Sequence, residues 1–523
     1  MRKLWMMLFA LIALMLTACG SSPQEDFAQR VGQAMKSPTS DPSVVTPLVN
    51  MRRVALAAPD TADTPSITPD QLFDWAEATY PQFFPTKEKT LTWSVYQFRY
   101  YKDTDVYLAV ENGTNVVALG TPTGNRITEL GALTNYAYQV QSHFDDFVKA
   151  VNGDFYLNGK VFKFGGTNAD WIHRVDDVSI DNAFKDYSEL SMKVIRVWAY
   201  TDIGSLDNSV PNLYKSWKDS IDRFPYMQYW DPVTNTVAVN ENGLKNLDRM
   251  LALARKHKFK VIMTLTNNWA NGGGVDQYNV WFKSTYHDDF YTSPQIKQAY
   301  KNWVSTLVNR TNTITGKKYR DDPSIFSWEL GNELFCFTDQ DSSRAIIFIM
   351  SPSCNATTIT KWVSEMSGYI KSIDPNHMVS VGNIGFLNRN NGHLYSSDMG
   401  DDYEATLAIP TIDFATFHLY IDNPTQPQFD FATAWINEHI AIADKMKKPV
   451  VMEEFGHSKE SRDQVITHML ETFTKSKGDG WLAWWVPVMI LPWNVPLGDD
   501  YDGILKDSST AKILKNYADR LMQ

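Results

Sequence analysis

From Phe144 to the C-terminus, the chain alternates short apolar runs with segments whose apolar residues recur every three or four positions. Eight of the runs read as strands: VFKFGGTNA (161–169), VIRVWAY (194–200), KVIMTLTNNW (260–269), IFSWELGNE (325–333), MVSVGNIG (378–385), IDFATFHLY (412–420), PVVMEEFG (449–456) and WLAWWVPV (481–488). Between them, Ile296, Tyr300, Trp303, Val304, Leu307 and Val308 keep the spacing of a helix face. Trp362, Met366, Tyr369, Ile370 and Ile373 do the same. Both aromatic stripes are read as core. Eight strands alternating with helices over roughly 380 residues predict an α/β fold, a (β/α)8 TIM barrel occupying residues 142–523.

Upstream the pattern differs. Arg2 and Lys3 precede an apolar run from Leu4 to Leu16, so residues 1–18 read as a signal peptide, too short for a comfortable membrane span. The ending Leu16-Thr17-Ala18-Cys19 resembles a bacterial lipoprotein box. That resemblance makes Cys19 the lipidated first residue of an exported protein, anchored to the outer membrane or cell surface or released in secreted form. Residues 19–66 are rich in Ser, Pro, Thr, Ala and Asp without a period, and read as a flexible tether. Residues 67–141 read as a small α+β module: helix-like LFDWAEATYPQFF, then strand-like TWSVYQFRYY and TDVYLAVENGTNVVALG, with Asn112-Gly113 as a hairpin turn. Its role is open between glycan binding and spacing.

Composition narrows the chemistry. A net charge of −11 carries no basic footprint for nucleic acid. The 17 tryptophans read either as core filling or as stacking platforms for flat apolar ligands such as sugar faces. With Cys19 set aside, Cys336 and Cys354 remain, an even pair in an exported protein and therefore a disulfide candidate. The ten histidines form no H-E-x-x-H pattern, and Gly272-Gly273-Gly274 lacks the spacing and Lys of a phosphate loop. No metal and no cofactor are expected. His287-Asp288-Asp289 reads as a turn into a helix, with acids at its start.

In such barrels the active site forms where strands end at the C-terminal face. Those ends carry Arg196, Asn267, Asn268, Asn332, Glu333, His418, Tyr420 and Glu454, with Trp198, Trp269 and Trp484. Alternation puts Arg196 with Trp198, His418 with Tyr420, and Glu329 with Glu333 on common faces. Glu333 and Glu454 end strands four and seven, on roughly opposite sides, so their carboxylates can face each other across a cleft. Glycoside hydrolysis needs that pair: one acid to protonate the leaving oxygen and one carboxylate to attack or to activate water.

Several of these stretches, in this order, resemble glycoside hydrolase family 5 and specifically its endo-β-1,4-mannanase branch. They are FYLNGKVFKFGGTNADW, VIRVWAY, GLKNLDRMLALARKHKFKVIMTLTNNW, HDDFYTSPQIKQAYKNWVSTLVNRTNTITGKKYRDDPSIFSWELGNE, IDFATFHLY, PVVMEEFG and GWLAWW. The resemblance implies a retaining hydrolase of β-mannans, galactomannans or glucomannans with Glu333 as acid/base and Glu454 as nucleophile. It further implies that Asn332 contacts the sugar, Arg196 braces the nucleophile, Tyr420 hydrogen-bonds it, His418 lines the acid/base side and Trp484 stacks under the sugar. Trp198, Asn268 and Trp269 complete the expected substrate-binding set. Two departures stand out: Leu334-Phe335 where the family has Pro-Arg, and Trp484-Trp485 where it often has Trp-Gln. An endoglucanase or exo-β-mannosidase on the same barrel, and an inactive surface glycan-binding protein, are the alternatives. A monomer is expected.

Two finer expectations concern the acids. In PVVMEEFG, alternation groups Val450, Met452 and Glu454 on one face and Val451, Glu453 and Phe455 on the other, unless a bulge intervenes. Glu453 is expected toward the helix layer, where its loss would mainly lower stability. Glu333, as the acid, must start protonated, so its pKa is expected to be raised while the covalent intermediate forms.

Overall fold

The computed structural model describes residues 147–213, 226–338, 345–389, 399–457, 460–490 and 503–521, with the backbone of strands at 52–55, 91–93, 96–101, 106–111, 116–120 and 495–496. The chain divides into two compact units, Met1–Gln141 and Ser142–Gln523.

The second unit is the barrel. Its strands are β1 (Phe164–Asn168), β2 (Val194–Trp198), β3 (Lys260–Thr264), β4 (Ile325–Glu329), β5 (Met378–Ser380), β6 (Ala415–Tyr420), β7 (Val450–Gly456) and β8 (Gly480–Ala483). Seven of them fall within runs read as strands above, and β8 begins one residue before its run. Neighbours pair in parallel in the order β5-β4-β3-β2-β1-β8-β7-β6. Across the remaining seam, Asp413 N donates to Val379 O (2.9 Å) and His418 N to Ile384 O (3.0 Å), so the ring of strands closes. The helices that follow the strands in turn are α1 (Asp177–Glu189), α2 (Glu241–Lys256), α3 (Pro294–Asn309), α4 (Ala356–Ile373), α5 (Tyr403–Leu407), α6 (Gln426–Lys445), α7 (Arg462–Lys475) and α8 (Ser509–Leu521). This is the predicted (β/α)8 barrel.

Local sequence starts and seats these helices. Asp176 caps α1 by accepting from the Val178 and Ser179 amides, and Asn355 caps α4 in the same way. The α3 stripe is buried throughout, as are Trp362, Met366 and Ile370 of α4, while Tyr369 and Ile373 are half-buried.

The barrel interior is divided by chemistry. At its N-terminal end Phe164, Val194, Ile262, Phe326, Met378, Phe414, Val451 and Leu482 form one apolar layer with Val148 and Phe155. Phe155 comes from a small antiparallel sheet (Lys149–Val151, Asp154–Leu157, Lys160–Val161) and packs edge-on against Phe326 (5.1 Å) and Phe414 (5.3 Å). A fully buried ring of this kind contributes about 1.5–3 kcal/mol, so this plug gives the barrel a dry floor. Above it the inward side chains turn polar.

In the first unit, five strands form an antiparallel sheet in the order Arg52–Ala55, Val116–Gly120, Val106–Glu111, Tyr96–Tyr101, Leu91–Trp93. Residues 52–55 fall in the stretch read as a tether, yet they pair with Val116–Gly120. Glu111 pairs with Val116 across the Asn112-Gly113 segment. Cys19, residues 1–18, the helix-like stretch at 72–84 and the Asn112-Gly113 turn itself lie outside the described residues. Among the described residues, no helix is long and apolar enough to cross a membrane.

Candidate active site

Arg196 sits at the centre of the polar layer with no solvent exposure. Its Nη1 donates to Glu454 Oε1 (2.5 Å) and to Asn168 Oδ1 (3.2 Å). Its Nη2 donates to Asn332 Oδ1 (2.8 Å), and its Nε to Glu329 Oε1 (2.8 Å). The guanidinium also lies against the Trp198 ring, 4.8 Å from its centroid. One cation thus ties β1, β2, β4 and β7 together. Burial alone would lower its pKa, but Glu329, Glu453 and Glu454 outweigh that and keep it charged.

Glu454 is fixed from both sides, because Tyr420 Oη donates to Oε2 (2.8 Å) while Arg196 holds Oε1. Burial pushes the Glu454 carboxyl up, against the opposing pull of His418 and Arg196. Glu333 lies just beyond β4 in the left-handed backbone region (φ +51°). A non-glycine residue there carries strain of about 1–3 kcal/mol. Neighbouring bonds hold it: Glu333 N donates to Gly382 O (2.8 Å) and Leu334 N to Asn383 Oδ1 (3.0 Å). The turn aims the carboxyl into the cleft, where Trp269 Nε1 donates to Oε2 (2.5 Å) and His418 Nδ1 meets Oε1 (2.7 Å). One ligand atom each from Glu333, His418 and Glu454 lie within 4.8 Å of one another.

The protonation pattern differs from the expectation for Glu333. Burial raises that carboxyl, but its bond and charge contact with His418 and the Trp269 N–H bring it below the usual carboxylate range. The surroundings favour the proton on His418 instead. Burial disfavours the imidazolium, yet Glu454, Glu333 and Glu453 raise its pKa to about 10. The pair Glu333–His418 therefore holds one transferable proton between them.

Glu453 corrects the second expectation. It is fully buried inside the barrel, not toward the helices, with Oε2 3.8 Å from Arg196 Nε and 3.6 Å from His418 Nε2. The cause is a bulge. Phe417 pairs with Met452 but His418 pairs with Glu454, so Glu453 is the extra residue on β7. Val451 and Glu453 face inward by alternation, and the bulge turns Glu454 inward as well. A second register slip, at Val261/Ile262 opposite Ile325/Ser327, lets Phe326 fill the floor while Glu329 faces Arg196. Glu329 also accepts from Thr264 Oγ1 (2.8 Å), and burial pushes its carboxyl well up. Gly382 (φ +87°) makes room for it: a Cβ there would come within 2.7 Å of the Glu329 carboxyl carbon.

Asn268 has a different task from the one expected. It is fully buried, its Nδ2 donates to Phe337 O (3.0 Å), and its Oδ1 accepts from Phe335 N (3.0 Å) and meets His287 Nε2 (2.9 Å). It pins the loop behind the cleft. The helix after His287-Asp288 spans Asp289–Thr292, with Asp289 Oδ2 accepting from the Thr285 and Tyr286 amides. Among the described residues, Asn332 Nδ2 donates to Asn267 Oδ1 alone (3.0 Å), which leaves its second amide hydrogen uncommitted.

Trp484, half-buried, lies 6.4 Å from Trp198 across the cleft wall. Opposite it, Leu334 and Phe335 are buried and supply no cation, while half-buried Phe337 stacks on Phe335 (5.3 Å) beside Trp269. Cys336 and Cys354 form a disulfide directly in this loop. Missed by sequence reasoning were Asn168 and the inward role of Glu453. Asn168 does end β1, and its Nδ2 donates to Glu453 O (3.0 Å), so its position was a usable signal.

A family profile described as GH family 5 beta-mannosidase-like matches residues 145–480. The chain is 32% identical over 316 residues to the probable mannan endo-1,4-beta-mannosidase F of Neosartorya fischeri, covering 59% of this chain and 61% of that one. It therefore spans less than two thirds of that relative's length. It is also 32% identical to mannan endo-1,4-beta-mannosidase 4 of Solanum lycopersicum, covering 64% of this chain and 78% of that one. Among solved structures, the endo-1,4-beta-mannanase of Rhizomucor miehei superposes with a TM-score of 0.63 at 33% identity, covering 72% of this chain and 99% of that one.

Proposed function

The chain belongs to the β-mannosidase-like group of glycoside hydrolase family 5, and on that premise we propose that it is a retaining endo-β-1,4-mannanase. Its substrates are plain, galactose-branched or glucose-containing mannans. The observation that carries the reading is the approach of two carboxylates, one oxygen of Glu333 and one of Glu454 within 4.8 Å. That spacing is near the roughly 5–5.5 Å of retaining enzymes and well below the roughly 6.5–9.5 Å that leaves room for water in inverting ones.

Glu454 is the nucleophile. Arg196 favours its ionised form against the pull of burial and Tyr420 orients it, so an oxygen is presented to the anomeric carbon without the carboxylate having to be ordered during reaction. As the bond to the sugar forms, the Glu454 charge is spent. That charge helps hold the proton on His418, so its loss favours release of the proton. His418 Nδ1 gives the proton to Glu333 Oε1, and Glu333 gives one to the leaving oxygen, which takes the bonding pair. In the second half, water attacks the anomeric carbon, Glu333 takes its proton, and Glu454 leaves as a carboxylate. The free amide hydrogen of Asn332 is available to the sugar 2-hydroxyl, and Trp484 with Trp198 offers a stacking wall.

A cysteine-linked lipid at Cys19 and a monomeric state belong to the same reading; the Leu16-Thr17-Ala18-Cys19 stretch supports the first. The test is a substrate panel. β-1,4-Mannan is hydrolysed with an early fall in viscosity and release of oligosaccharides, while cellulose and xylan are cleaved far more slowly. Mannose as the sole early product would indicate exo action, and preference for cellulose would overturn the substrate assignment.

A further inference from the structure

The reaction above leaves the buried carboxylate of Glu453 without a task. Glu453 has no solvent exposure, and neither of its oxygens has a hydrogen-bond partner among the described residues. On the opposite side of the gap, His418 Nε2 is likewise buried and unpartnered. These two unsatisfied groups face each other at 3.6 Å. Burying either alone is costly, and a side-chain movement of about 0.6 Å would bring them within hydrogen-bonding range.

Resting on the two-glutamate reading, we infer that Glu453 is a positioning residue for the acid/base: it holds the Nε2–H of His418, so that Nδ1 faces Glu333 with a movable proton. Glu453, His418 and Glu333 then form one line, in which the far carboxylate fixes the imidazole tautomer and stabilises the imidazolium, as a buried acid does behind a catalytic histidine. When Nδ1 has passed its proton to Glu333, the neutral ring keeps Nε2–H toward Glu453. When Glu333 takes a proton from water, the return transfer restores the imidazolium. No proton leaves the line except to the leaving oxygen, and it is replaced from water.

The geometry explains why β7 carries a bulge: without it, Glu453 and Glu454 could not both face inward. The charged groups facing His418 from every side are Glu333 beyond β4, Glu453 and Glu454 on β7, and, further in, Arg196 on β2 with Glu329 on β4. The Tyr420 hydroxyl, which meets Glu454 Oε2, is the remaining titratable group. Among these, Glu453 is the anion that meets Nε2; Glu333 and Glu454 both meet Nδ1.

The experiment compares wild type with Glu453→Gln and Glu453→Asp. Removing the negative charge lowers the pKa of His418, so the alkaline limb of kcat/KM on a β-1,4-manno-oligosaccharide moves to lower pH by at least about one unit. Glu453→Asp restores part of that shift, and KM changes less than kcat. A uniform fall in kcat with the alkaline limb unmoved would overturn the proposal. Should Glu453→Gln not fold, 15N spectra of histidine-labelled wild type decide: at pH 7 His418 carries both ring protons, and on titration it loses the Nδ1 proton while keeping Nε2–H. An unprotonated Nε2 at neutral pH would refute the line. These spectra need no turnover, so wild type that leaves β-1,4-mannan intact refutes the mannanase reading separately.

Discussion

Glu454→Ala lowers turnover of β-1,4-mannan by about four to six orders of magnitude, the range seen when a nucleophile or its obligate partner is removed elsewhere. The variant still folds, because the lost side chain is a cleft-lining carboxylate whose removal relieves, not adds, negative charge around Arg196. Azide then restores part of the rate on an aryl β-mannoside by entering the vacated space. The product is the α-mannosyl azide, since a single displacement inverts the anomeric centre. Glu453→Ala gives no such rescue, because Glu453 points at His418 Nε2 and Arg196 Nε and not at the cleft. Rescue in Glu453→Ala with none in Glu454→Ala would reverse the two assignments.

Arg196→Met destabilises the barrel by at least about 3–5 kcal/mol at pH 7, the cost of stripping the partner from buried charge. Three carboxyls, those of Glu329, Glu453 and Glu454, converge on this guanidinium, and none of them is more than marginally exposed. That loss is a large share of the roughly 5–15 kcal/mol that holds a typical domain folded. The sign of the pH effect follows from the charges. Without Arg196 the Glu453 carboxyl loses the contact that holds it low and rises above its unfolded value, and Glu329 and Glu454, already raised by burial, rise further, so the folded state gains relative stability at low pH and loses it as pH rises through the raised values. The urea midpoint of Arg196→Met therefore lies closest to wild type near pH 5 and falls furthest behind at neutral pH. Arg196→Lys does not rescue it, because an ammonium cannot make the forked contacts to Glu454, Asn332 and Glu329 together. A variant within about 1 kcal/mol of wild type at pH 7 would contradict the role given to Arg196.

Much of this was legible from the chain. All eight strands were visible as apolar runs, because a parallel barrel strand is buried on both faces and its sequence shows it. Arg196, His418, Tyr420, Glu333 and Glu454 stood out because ionisable groups at the ends of such runs need a reason to be there. What alternation could not supply was register across strands. The slip between Phe417/Met452 and His418/Glu454 is a property of the β6–β7 pair, not of PVVMEEFG, so Glu453 was assigned to the wrong side. The same limit applies to Asn268, whose partners Phe335, Phe337 and His287 are distant in sequence. The state of Glu333 was misjudged for a related reason. A carboxyl in an apolar pocket is raised, but His418 arrives from another strand and reverses the balance. Helix α5, at Tyr403–Leu407, is too short to show a periodic stripe.

The central claim is that Glu333 and Glu454 work as a retaining pair on a β-1,4-mannan chain. The most direct measurement is proton NMR of mannohexaose hydrolysis by the wild-type protein, following the anomeric signals of the new reducing ends within the first minutes, before mutarotation. The two-step mechanism predicts internal cleavage with the β-anomer appearing first and the α-anomer growing in only by mutarotation. Initial appearance of the α-anomer, or release of single mannose units from one end, would contradict it.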